Sequence, residues 1–142
     1  MIFMNTIKIA AAFHNHQNTC QIYDCETYSV VEVNYLGDNC ETAARVFSSD
    51  TADNYTFIST PPIFTCTGNL DELTLHVVNE LNRCTHFARF IIDEGYSKPV
   101  ILAEYELIDI PDEFFGEAVF RAVLHFFNAV DQAYLVIKEM LE

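Results

Sequence analysis

The spacing of apolar residues changes period along the chain, and those changes mark its elements. Four segments rich in β-branched and aromatic residues, 19–24, 28–35, 42–48 and 54–60, are separated by Asp, Asn, Gly and Ser. Such runs, bounded by turn formers, predict an antiparallel meander. In the second run Val31, Val33 and Tyr35 alternate with Val30, Glu32 and Asn34, as in a sheet with one covered face. Ahead of the meander, residues 6–16 predict a short helix, with Thr6 as its cap and Ala10, Ala11 and Ala12 as good helix formers.

Pro61 and Pro62 cannot continue an inner strand, and beyond Gly68 the period becomes helical. Asn69 and Glu72 have the spacing of a capping box, and Leu70, Leu73, Val77, Val78 and Leu81 recur on one face as far as about residue 83. Residues 86–93 and 99–108 predict two strands joined through Glu94, Gly95, Tyr96 and Ser97 as a hairpin. A last helix starts near 109–112, where Pro111 and the acidic residues suit a first turn, and runs to Met140. The whole is an α+β fold over a single domain, 1–142. It has an antiparallel sheet of five or six strands, with a mid-chain helix and a long C-terminal helix packed on one face.

The last helix is apolar enough to raise the question of a membrane span. Its polar residues answer it. Glu117, Arg121, His125, Asn128, Gln132 and Glu139 all fall on one stripe of a helix, which hydrocarbon would not tolerate. Opposite them Phe115, Ala118, Val119, Ala122, Phe126, Ala129, Val130, Ala133, Val136, Ile137 and Met140 form the face a sheet needs as cover. Along the border run Phe120, Leu124, Phe127 and Tyr134, interrupted by Asp131, and this strip is the candidate partner or dimer interface. The competing reading is that a wide sheet buries these side chains as core.

Charge narrows the partners. There are 21 acidic residues and 7 basic ones, for a net charge of −14, and the basic residues are scattered, so nucleic acid and anionic membranes are excluded as partners. Five cysteines at irregular spacing do not make a secreted disulfide scaffold, and the apolar run 9–13 is too short for a signal-peptide core. A cytoplasmic location follows, and either Met1 or Met4 can serve as the start. The chemistry weighed is sparse. His14, His16, Cys20 and Cys25 could supply a metal or thiol site, but in a strand Cys20 and Cys25 point to opposite faces. Cys84 and His86 lack a third orienting group and an oxyanion turn, and with 4 glycines no phosphate-cradling loop is available. No catalytic residues and no cofactor are expected.

The order helix, meander, helix, hairpin, long helix resembles the YbjN family of bacterial sensory transduction regulators, and more remotely type III secretion chaperones. The segments that carry the likeness are Val77-Val-Asn-Glu-Leu-Asn82, His86-Phe-Ala-Arg-Phe-Ile-Ile-Asp93, Pro99-Val-Ile-Leu-Ala-Glu-Tyr-Glu-Leu107 and the final helix. Cys20-Gln-Ile-Tyr-Asp-Cys25 resembles that family's first strand and turn. The resemblance implies a chaperone-like fold without an active site. It also implies a role in protein binding or regulation, as a small acidic homodimer.

Overall fold

Seven short strands form one sheet in the computed structural model, which describes residues 3–50 and 53–142, so that Met1 lies outside it. The chain runs α1 (Met4–Asn15), β1 (Gln21–Asp24), β2 (Ser29–Leu36), β3 (Glu41–Ser48), β4 (Thr56–Ser59) and β5 (Phe64–Thr65). It continues through α2 (Glu72–Cys84), β6 (Arg89–Asp93), β7 (Val100–Leu107), a 3₁₀ turn at Asp112–Phe114 and α3 (Phe115–Leu141). Every strand pair is antiparallel. β4 and β5 lie end to end along one side of β7, with Ser59 opposite Glu104 and Phe64 opposite Ile101. Pro61 and Pro62 break the ladder between them, while Thr60 N donates to Ala103 O (2.9 Å) and Ile63 N to Ile101 O (2.8 Å) on either side of the break. The spatial order is therefore β1, β2, β3, then β4 with β5, then β7 and β6. Counting the broken strand once gives six, within the five or six expected.

Helix starts depart from the sequence expectation in an instructive way. Thr6 is no cap: it is fully buried, with its hydroxyl 2.7 Å from that of Ser29. α1 begins two residues earlier, and the carboxylate of Asp50, distant in sequence, accepts from the amides of Met4 and Asn5 at 2.9 Å each. A cap supplied by another segment has no local signature. The start of α2 is capped by Asp71, which accepts from Thr74 N at 2.8 Å, and Asn69 stays in the preceding loop. Residues 86–88, expected as strand, form the loop into β6. Asn82 ties that loop to the helix by donating to Phe90 O (2.9 Å) and accepting from Phe90 N (2.7 Å).

All three helices cover one face of the sheet, α1 joining the two that were expected there. On the covered face Val31, Val33, Ala44, Val46, Ile58, Ile101, Ala103 and Phe90 alternate inward, as period two requires. Against them pack Phe13 and Ile9 of α1, Val77, Val78 and Leu81 of α2, and Phe115, Val119, Val123, Phe126, Val130 and Ile137 of α3, in one continuous core. α1 and α3 cross closely at Gly116, where an added Cβ would stand 2.6 Å from the carbonyl oxygen of Lys8. Only a residue without a side chain permits that approach.

Candidate functional site: the exposed side of the last helix

α3 divides into strips much as its pattern indicates. Glu117, Arg121, His125, Asn128, Gln132 and Glu139 are all exposed. The border strip, however, does not stand as one surface. Phe120 is 5% and Phe127 2% exposed, because α1 and the long β2–β3 hairpin reach over that side of the helix. Phe120 meets Phe13 edge-on (5.0 Å between ring centres), and Phe127 stacks on Tyr35 (4.5 Å, 9° between planes). Leu124 is 41% exposed, and Tyr134 is half-buried. The expected interface of four residues is thus corrected to two: Phe120 and Phe127 belong to the core, and Leu124 and Tyr134 reach the surface.

Asp131, which interrupts the strip, has a structural task. At 6% exposure it accepts from the backbone amides of Asn39 and Cys40 at 3.0 Å each, and from the Asn39 side-chain amide at 3.1 Å. It thereby pins the β2–β3 turn to α3. Burial pushes its carboxyl up, but those hydrogen bonds outweigh burial and hold it below the usual value. The Cys40 thiol is pushed up to about 11 by burial, by its hydrogen bond to Asp131 and by that residue's negative charge. Gly37 is required beneath the clamp, since a Cβ there would meet Asp131 Oδ1 at 2.1 Å.

On the other side of α3 a cleft of about 430 Å³ opens between the end of α2, the loop into β6 and the middle of α3. Leu81, Ala129, Ala133 and Val136 make its floor, and Asn128, Gln132, Thr85 and His86 stand around it. The ring of His125 stacks on Phe87 (4.7 Å), which in turn meets Tyr105 edge-on (6.5 Å) and closes one end. The chain's pattern placed Ala129, Ala133 and Val136 on the covered face of the helix. Because α2 diverges from α3, Val136 is instead 42% exposed. Sequence periodicity carries no signal for where two helices part.

The residues singled out for metal or thiol chemistry are dispersed. His14 and Cys20 border one depression beside Gln17, whose left-handed backbone (φ 61°) turns the chain out of α1. His16 is drawn away: its Nε2 lies 2.8 Å from Glu117 Oε2, and its ring stacks on Phe120. Cys25 sits at the β1–β2 turn, its amide donating to Tyr28 O at 2.8 Å. No group of three or more His, Cys, Asp or Glu among the described residues is placed to hold a metal ion. Cys84 and His86 both line the α2–α3 cleft. No described helix is long and apolar enough to cross a membrane. No protein-family model, curated protein or solved structure matches the chain.

Proposed function

We propose that the protein is a non-catalytic protein-binding domain, chaperone-like or regulatory, of the kind the YbjN family represents, and that it receives its partner in the α2–α3 cleft. The observation that carries this reading is the cleft itself. Its apolar floor lies inside a polar rim, the composition of a small interface rather than of a solvated helix face. Val136 and Met140 extend the apolar surface along α3, at 42% and 50% exposure. A second copy of the chain is the first partner to test, and the reading places a homodimer contact in this cleft. All five cysteines are unpaired, which suits the reducing cytoplasm in which we place it.

The test is to fill the cleft without disturbing the core. Asn128 and Val136 line it and are exposed, so Asn128→Trp and Val136→Lys should leave the circular dichroism and melting temperature near those of the native chain. Sedimentation equilibrium should then show a native dimer become a monomer. A dimer that survives both substitutions places its contact elsewhere.

A further inference from the structure

The sheet face turned away from the helices carries a second apolar surface. Register puts Tyr23 opposite Val30, Val30 opposite Phe47 and Phe47 opposite Phe57, so these four side chains form a single row across β1 to β4. With strands about 4.8 Å apart the row is roughly 14 Å long. Tyr23 and Tyr28 are 47% and 42% exposed, and the Tyr28 ring meets Phe47 edge-on at 5.9 Å. Tyr28, Val30, Phe47 and Phe57 line a shallow depression of about 380 Å³ together with Arg45 and Ser59. An open sheet face of a solitary domain is ordinarily polar at alternate positions. Here one of its rows is apolar.

The neighbouring row supplies the charge. In register it reads Gln21, Glu32, Arg45, Ser59, Glu104, Arg89. Both arginines are engaged, Arg45 with Glu32 at 3.2 Å and Arg89 with Glu104. Glu106, opposite Phe57 at the end of the apolar row, takes a hydrogen bond from Tyr55, and Asp93 lies on the same face on β6. The local field is therefore set by carboxylates, within a chain of net charge −14.

From this we infer that the open sheet face is a docking surface for a segment of another protein in which apolar side chains alternate with Lys or Arg. The apolar row takes the former, and Glu106, Asp93 and the wider acidic field attract the latter. A second copy of the chain brings the same negative charge and is disfavoured on this face. This surface is separate from the α2–α3 cleft, so either can fail without the other.

Fluorescence anisotropy with a labelled synthetic Leu/Lys peptide tests the inference, with a Ser/Lys peptide of equal charge and a Leu/Glu peptide as controls. The native chain should bind the Leu/Lys peptide about tenfold or more tightly than either control. Tyr28→Ser with Phe57→Ser should weaken it by about tenfold or more, and Glu106→Gln by a few-fold in a salt-sensitive way. Asn128→Trp should leave it unchanged. In the native protein, amide resonances of β2, β3 and β4 should shift on titration, a readout that needs no variant to fold. Equal binding of the Leu/Lys and Ser/Lys peptides, shifts confined to α2 and α3, or a chain dimer broken by the Tyr28 and Phe57 substitutions would each overturn the inference.

Discussion

Replacing Asp131 with alanine should be among the most damaging single changes available on α3, although the residue lies on the border of a wet stripe. The carboxylate accepts from four groups of the β2–β3 turn, the Cys40 thiol among them, and two of the four are backbone amides that have no other partner in the fold's ladder. Hydrogen bonds to a charged group contribute about 1.5–3 kcal/mol each, and water can replace part of that at a half-exposed turn. A net loss of about 2–4 kcal/mol follows, against a total stability of about 5–15 kcal/mol for a domain. At about 3–4 °C per kcal/mol the melting temperature should fall by about 10 °C. Asp131→Asn should lose a smaller part of this, because its remaining oxygen can still accept from both backbone amides while its amide nitrogen faces the Asn39 side-chain amide donor to donor and the charge is gone. The pH dependence has a definite sign. Because the folded carboxyl sits below its usual value, its contribution is complete above pH about 4 and disappears as pH falls through the folded value. Thermal melts of native and Asp131→Asn protein should therefore differ most at neutral pH and converge as the solution is acidified below pH about 4. A difference below about 0.5 kcal/mol at pH 7, within the range of ordinary surface substitutions, or one that does not narrow on acidification, would refute the clamp.

Gly37→Ala should destabilise by about 1–3 kcal/mol in urea unfolding, because its Cβ would collide with the Asp131 carboxylate and with Tyr35 Cε2 at 2.5 Å. Gly116→Ala should cost at least as much, since the atom it meets is backbone, and hydrogen exchange should show α1 loosened first. Phe127→Glu should unfold the protein by circular dichroism, whereas Leu124→Glu should leave the melt within about 0.5 kcal/mol of native. Thiol labelling at pH 8 should modify exposed Cys84 rapidly and Cys40 slowly, with Cys40 gaining reactivity in Asp131→Asn. Added zinc should leave the native melting temperature unchanged, as no group of three or more His, Cys, Asp or Glu among the described residues is placed to hold it.

Much of the fold was legible because the sheet obeys period two and the last helix period 3.6. Val31 and Val33 face inward as their alternation requires, and the six residues of the polar stripe on α3 are all exposed. What escaped depends on contacts between distant segments. Asp50 caps α1 across 45 residues or more, and nothing near Thr6 announces it. The border strip of α3 was ambiguous because a helix pattern gives the width of an apolar face but not the width of its cover. Here α1 and the β2–β3 hairpin extend that cover to Phe120 and Phe127. The cleft was hidden for the opposite reason, since residues patterned as core become surface where α2 diverges. The open-face row of Tyr23, Val30, Phe47 and Phe57 becomes visible only once register aligns four strands.

The central proposal, that the α2–α3 cleft binds protein, is tested most directly by quantitative affinity capture from the cells that make the chain. Native protein should be compared with Asn128→Trp, both verified as folded. The proposal predicts one or a few proteins, or the chain itself, enriched on the native bait and lost from the cleft-filled one. The same capture by both baits, with the chain monomeric in each, would contradict it.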